Sequence, residues 1–242
     1  MAPTRSQVNR AGETLRSWIR GEIDDEPAIE RALRIALAYR ALHAYPLTKA
    51  TMGVRSVIGT ERCRLEVSQR LKRMTTILDK LRREPTIRLA QMQDIAGCRA
   101  VLADIAELRR VERRLKKNRP PLRYSDYISS PRGSGYRSVH VVVGYPDEEG
   151  EQRAVEVQLR TQTMHEWAIT VERLSGQLRD DLKSGRGPAP LLEWLAAVSE
   201  AMAIEESGNT VPPALHQRIG QLRLAAAPSL AHNGRPQEGT NG

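Results

Sequence analysis

Strict alternation sets off one stretch of this chain. In Val155-Glu156-Val157-Gln158-Leu159-Arg160-Thr161, Val155, Val157 and Leu159 share one face of a predicted strand, while Glu156, Gln158 and Arg160 share the other. The polar face is a row of carboxylate, amide and guanidinium spaced about 7 Å apart per step. Other segments read as follows. Residues 1–26 are polar, with an acidic knot at 22–26, and are expected to be loosely ordered. Residues 28–42 predict a helix, and Gly59-Thr60 breaks the chain before a second helix over 65–83. In that helix Leu71, Met74, Ile77, Leu78 and Leu81 follow the helical period, and Pro85 ends it.

A strand is expected over 97–102, led by Asp94-Ile95-Ala96, and then a helix over 103–118 that Pro120-Pro121 stops. A Gly/Ser/Pro loop over 129–135, a β-branched run over 139–143 and an acidic turn over 146–151 lead into the alternating strand. Helices follow over 163–179 and 191–206, with a linker over 185–190 between them. A short helix fits 214–224, and the last ~15 residues are expected to be disordered. The expected organisation is an N-terminal helical extension (1–60), a central domain (61–185), C-terminal helices (186–225) and a disordered tail (226–242). Helices alternating with a few strands imply an α/β or α+β domain with one central sheet.

Composition narrows the function classes. No apolar run approaches the ~20 residues of a membrane span, and the first twenty residues lack a secretory core, so a cytoplasmic protein is expected. Cys63 and Cys98 have neither metal-ligand spacing nor a nearby Cys or His, which predicts reduced structural thiols. Net charge is +9 and the pI is near 10.0, which favours polyanionic partners. The stretch 104–123 carries much of this charge, with Arg110, Arg113, Arg114, Lys116 and Lys117 as candidates for an RNA backbone.

Candidate chemistry lies around the two strands. If the strands are neighbours, Asp94 and Glu156 can share a Mg²⁺, an ion commonly held by one or two carboxylates plus substrate phosphates. Arg70, Lys72 and Lys80 place cations along the predicted helix, with Thr76 and Lys80 on one face. Cations near a helix start oppose its dipole, so a triphosphate ligand would rationalise them. In 131–140, two glycines let backbone approach a ligand, Arg132 and Arg137 can reach phosphates, and Tyr136 offers a ring for base stacking. His140 heads an apolar strand, where a satisfied core histidine is the commoner role.

Five motifs occur in order: Arg70-x-Lys72; Asp94-Ile95-Ala96-Gly97-x-Arg99; Asp126-Tyr127-Ile128-x-x-Pro131-Arg132-x-x-Gly135-Tyr136-x-Ser138-x-His140; Glu156-x-Gln158-x-Arg160-Thr161; and Met164-His165-x-Trp167-Ala168. Together they resemble the synthetase domain of the RelA/SpoT family, the ATP pyrophosphokinases that make the alarmones (p)ppGpp. The resemblance implies an α+β, nucleotidyltransferase-like fold with a mixed central sheet flanked by helices and helical extensions at both ends. It also implies transfer of the β,γ-pyrophosphate of ATP to a ribose 3′-hydroxyl. Carried over, Arg70, Lys72, Thr76, Lys80, Arg99, Gln158 and Arg160 would serve the ATP side. Asp94 would hold Mg²⁺, with Glu156 sharing the metal or acting as general base, and Arg132, Tyr136, Arg137 and His140 would serve the acceptor.

The chain also departs from the family pattern. No His-Asp hydrolase motif lies upstream, and Arg132 stands where the family often has Lys. Glu172-Arg173 and Leu182-Lys183-Ser184-Gly185 replace the usual pattern after Trp167. This tail, with Trp194 and Ala203-Ile204-Glu205, resembles the toxic small alarmone synthetases of toxin–antitoxin and phage-defence systems. That branch implies pyrophosphorylation of the 3′-CCA end of tRNA, inhibition of translation and an antitoxin partner. GTP or GDP as acceptor, with homo-oligomerisation, is the alternative within the family. A non-catalytic RNA-binding protein is the alternative outside it, and RNA binding alone has no need of Asp94 and Glu156.

Overall fold

A computed structural model describes residues 2–64, 66–178 and 180–231. The chain divides into two compact units. The first comprises the chain through Ala100 with Arg109–Tyr124 and His140–Leu159; the second comprises Val101–Leu108, Ser125–Val139 and the chain from Arg160 onward.

The first unit opens with three helices, α1 (Arg5–Ile19), α2 (Glu26–Ala41) and α3 (Ala44–Thr60). The expectation of a loose N-terminus is therefore corrected. Thr4 and Gln7 form a reciprocal capping box that satisfies two backbone donors. Behind it, Val8, Ala11 and Leu15 fall on one helix face and are buried against α2 and the next helix, α4 (Met74–Arg83). The segment of α3 was not singled out as a helix in the sequence. Its buried positions Leu47, Ala50, Thr51, Val54, Val57 and Ile58 nevertheless follow the 3.6 period.

The helix expected over 65–83 is two elements. Val67–Leu71 forms strand β1, and only from Met74 does α4 begin. Met74, Ile77, Leu78 and Leu81 carry the helical stripe; Val67 and Leu71 continue its spacing, but the backbone of 67–71 pairs with β2 instead. Ile77 and Leu81 are buried in the helical core, and Lys80, Arg82 and Arg83 end the helix where cations suit its dipole.

Five strands make one mixed sheet in the order β1-β2-β5-β4-β3, with β2 Ala96–Leu102, β3 Arg123–Asp126, β4 Val139–Pro146 and β5 Gln152–Thr161. β1 runs antiparallel to β2 in the register Val67↔Ala100 to Leu71↔Ala96. β3, a strand not anticipated from the sequence, pairs along β4 through Leu122 N to Val142 O at 2.8 Å and Tyr127 N to Ser138 O at 2.9 Å. The β4–β5 turn is built around Asp147, whose carboxylate accepts from the Glu149 and Glu151 amides and from Arg153 Nε at 2.8 Å. α5 (Ile105–Asn118) is the basic helix.

In the second unit, α6 (Gln162–Leu178), α7 (Ala189–Glu206) and α8 (Pro213–Ala231) are all helical. A cluster of Tyr136, Trp167, Ala168, Val171, Leu182, Leu191 and Leu195 forms a core there. α8 outruns the predicted short helix, so residues 226–231 do not belong to a disordered tail; residues 232–242 lie outside the described residues. Neither Cys63 nor Cys98 is in a disulfide among the described residues. Among the described residues no helix is long and apolar enough to cross a membrane.

Candidate active site

In the first unit, the end of β1, α4 and the turn before β2 converge on Asp94. Lys72 Nζ lies 2.9 Å and Lys80 Nζ 3.0 Å from Asp94 Oδ2. Lys72 is placed by its own backbone, whose amide donates to Ile95 O at 2.8 Å. Burial raises the Asp94 pKa, but the two ammonium groups outweigh it, so the carboxylate is held below its ordinary value. The expectation of cations along one helix is corrected for Lys72 and Arg70: both belong to β1 and its end, and only Thr76 and Lys80 lie on α4. Arg70 is exposed on β1 opposite Gly97, and Arg99 is half-buried on β2 opposite Ser68. Directly opposed residues share a sheet face, so these two arginines are diagonal neighbours on one face.

Glu156 sits on β5 beside β2, and a Cβ added at Gly97 would lie 3.6 Å from Glu156 O. The neighbouring-strand condition for pairing Asp94 with Glu156 is therefore met. Glu156 Oε1 lies 2.9 Å from His140 Nδ1 on β4, and Gln158 Nε2 donates to Glu156 Oε2 at 2.6 Å. Both carboxylate oxygens thus have partners that fix the side chain's rotation. His140 is a partner of the carboxylate rather than a core histidine.

The Asp94 carboxylate also bears on Mg²⁺. Oδ2 is taken by the two lysines, whereas Oδ1 is buried without a hydrogen-bond partner among the described residues. One free, shielded carboxylate oxygen fits an ion whose remaining ligands are water and phosphate oxygens. Among the described residues no group of three or more His, Cys, Asp or Glu side chains could cage a metal. Of the two carboxylates, Asp94 keeps an oxygen that could take a metal, whereas both oxygens of Glu156 are engaged by His140 and Gln158.

In the second unit, the loop before β4 carries Arg132, Tyr136 and Arg137. Arg132 donates to Tyr127 Oη at 2.9 Å and its guanidinium lies 4.5 Å from that ring's centre. Tyr136, expected as an open stacking platform, is 0% exposed. Its hydroxyl accepts from Arg160 Nη2 at 3.0 Å, and Arg160 is itself 0% exposed. Arg160 is therefore a buried support for Tyr136. Arg137 is buried as well and pairs with Glu206 of α7 at 3.3 Å.

Of the five cations assigned to RNA, only Arg113 and Lys117 are exposed. Arg110 Nη2 reaches Cys63 Sγ at 3.5 Å, Arg114 is half-buried, and Lys116 is held by Glu112 and the Tyr124 ring. Two residues escaped the sequence assignment. Tyr127 lies within a quoted motif but carried no role, and its packing against Arg132 depends on the loop closing back on itself. Lys183 carries no local signal; its position beside Tyr136 is tertiary.

Comparison with known proteins agrees with this geometry. Residues 69–173 match the region found in RelA / SpoT proteins. The chain is 36% identical over 129 residues to GTP pyrophosphokinase YjbM of Bacillus subtilis, covering 48% of this chain and 61% of that one. It is 32% identical over 174 residues to the uncharacterized protein Rv1366 of Mycobacterium tuberculosis, covering 69% of this chain and 55% of that one. The chain thus spans roughly three-fifths of the two Bacillus subtilis relatives and less of the others it matches. Among solved structures, small alarmone synthetase 1 of Bacillus subtilis bound to its product pppGpp aligns with a TM-score of 0.59 and 27% identity, over 77% of this chain and 95% of that one. Motif order, the mixed sheet and the matched region lead to one conclusion: residues 69–173 form a region like that found in RelA / SpoT proteins, and the fold is similar to that of small alarmone synthetases.

Proposed function

We propose that this protein is an ATP-dependent pyrophosphokinase that transfers the β,γ-pyrophosphate of ATP to a ribose 3′-hydroxyl and releases AMP. The observation that carries this is the pairing of two preset groups in the first unit: Asp94 clamped by Lys72 and Lys80, and Glu156 clamped by His140 and Gln158. The acceptor oxygen attacks the β-phosphorus, the bond from that phosphorus to the oxygen bridging it to the α-phosphate breaks, and AMP departs with the bonding pair. Glu156 takes the hydroxyl proton, its orientation fixed on both oxygens. Lys72, Lys80, Arg70 and Arg99 supply positive charge for the triphosphate, and such transfer depends chiefly on positioning and charge neutralisation. Mg²⁺, held through Asp94 Oδ1, would neutralise phosphate charge.

The better-supported acceptor is a guanosine nucleotide, GTP or GDP. A relative 36% identical is named a GTP pyrophosphokinase, and a structural neighbour 27% identical was solved with pppGpp. Arg132 then serves an acceptor phosphate and Tyr136 the base. The 3′-CCA end of tRNA, with the toxic role, translation inhibition and antitoxin that accompany it, is the second reading. Exposed Arg113, Lys117, Arg123 and Tyr124 favour it, since they give the α5–β3 region a cationic, partly aromatic surface.

The test is incubation with γ-labelled ATP and either GDP, GTP or deacylated tRNA. Label on guanosine nucleotides with stoichiometric AMP supports the first reading, and label on tRNA alone replaces it with the second. No AMP-coupled transfer to any acceptor would reject both.

A further inference from the structure

The full burial of Tyr136 conflicts with a role in stacking on a base, unless whatever covers it moves. Its surroundings identify the cover. Tyr127 and Trp167 pack against the ring with centroids 5.8 and 6.4 Å away, and among the described residues three cations also face it: Lys183 Nζ lies 4.8 Å from its centre, Arg160 5.3 Å and Arg132 5.5 Å. Arg160 is buried and Arg132 belongs to the acceptor loop, whereas Lys183 belongs to a short surface strap, residues 181–187. A one-turn helix, Leu182–Ser184, and two positive-φ glycines, Gly185 (+80°) and Gly187 (+146°), shape the strap. Leu182 is buried and pins its start, while residues 184–187 are exposed.

Its grip on the acceptor loop is slight. Ser134 Oγ donates to Lys183 O at 2.9 Å, and the ammonium lies over the ring. On its outer side Lys183 Nζ reaches Glu172 Oε1 at 3.1 Å, and that carboxylate is 44% exposed. Interactions of these kinds are individually weak.

Resting on the assignment of Tyr136 to the acceptor base, we infer that residues 181–187 form a lid that closes this subsite, with Lys183 occupying the ring face a purine would take. The closed lid shields an aromatic ring from water until a base replaces the ammonium. With Leu182 left in the core and its amide on Ser175 Oγ at 3.3 Å, displacing Lys183 breaks its hydrogen bond from Ser134, its cation–π contact and its surface ion pair. A stacked base replaces the lost contact with a base–aromatic one. The exchange is thus close to balanced, as a ligand-operated lid requires. The lid makes acceptor affinity, not ATP affinity, the quantity tuned by Lys183.

The test uses the full chain. Lys183→Ala and, separately, Ser134→Ala should lower the acceptor KM several-fold and leave the ATP KM unchanged. In the wild-type protein, amine labelling of Lys183 read by mass spectrometry should rise when the accepting species, GDP or deacylated tRNA, is added with a non-hydrolysable ATP analogue. Transfer activity absent in the wild type but present in Lys183→Ala would also support the lid. Unchanged acceptor KM in both variants, or Lys183 labelling indifferent to acceptor, would overturn it. Tyr136→Leu separates the two ideas. If it folds and leaves acceptor KM unchanged, the stacking assignment fails and the lid with it. If it raises KM while Lys183→Ala has no effect, only the lid fails. Absence of transfer in wild type and variants alike rejects the enzymatic assignment and the lid together.

Discussion

His140 Nδ1 and Glu156 Oε1 are 2.9 Å apart across neighbouring strands, so the orientation of the carboxylate is fixed by the sheet itself. Removing the carboxylate's charge while keeping its shape should therefore isolate chemistry from folding. Glu156→Gln is expected to lower kcat by roughly 10²–10⁴, the usual worth of a general base, with ATP affinity and circular dichroism unchanged. Turnover near the wild-type level would remove Glu156 from the base role. His140→Gln should lower kcat less, since it disturbs only one of the two contacts on the carboxylate.

Asp94→Asn leaves Lys72 and Lys80 facing each other without a counter-charge. It is expected to destabilise the protein by about 2 kcal/mol, within the range for a broken partly buried charge-assisted bond, and urea unfolding measures this. Because the folded carboxylate titrates below its unfolded value, its contribution is present above about pH 4 and fades as pH falls through the folded pKa. The acid limb of stability should thus be shallower in Asp94→Asn. A higher Mg²⁺ requirement for turnover should accompany it.

His43 supplies a second pH dependence. Burial lowers its pKa to about 4, so the folded state holds it neutral where the unfolded state binds a proton. Its neutral form is matched to the fold above about pH 6.5, and that stability is lost as pH falls from there toward 4. The loss amounts to about 3 kcal/mol across the window. Urea midpoints at pH 7 and pH 5 should differ less in His43→Gln than in the wild type.

Gly135→Ala tests the acceptor loop's close approach to α7. Gly135 has φ +85°, and an added Cβ would meet Ala196 Cα at 2.8 Å and Ser199 Cβ at 2.9 Å. Strain plus overlap should cost about 1–3 kcal/mol, lowering Tm, and should displace the Ser199 hydroxyl from Gly135 O. An unchanged Tm would show that the loop relaxes freely.

The sequence carried most of β5, β2 and the carboxylates, because two-residue alternation and motif order are local signals. Glu156 and Asp94 could thus be named before any fold was known. The Lys72–Asp94–Lys80 cluster was only half legible: its members were identified, but the helical stripe beginning at Met74 was extended back over β1. The internal partners of Arg137 and Arg160 were hidden for another reason. An arginine in a phosphate-binding motif looks cationic and exposed in sequence, and only tertiary packing against Glu206 or Tyr136 reveals it as internal. Lys183 was beyond sequence because its contact with Tyr136 joins segments 47 residues apart.

The Asp94 clamp has one further consequence, for the order of assembly. One carboxylate between two ammonium groups leaves a formal net charge of about +1. A bare divalent cation approaching that cluster is repelled, whereas a nucleotide already carrying its cation arrives with negative charge to spare. The charge count favours loading metal and triphosphate as one package, which makes the occupied state conditional on fuel rather than on the ambient ion pool.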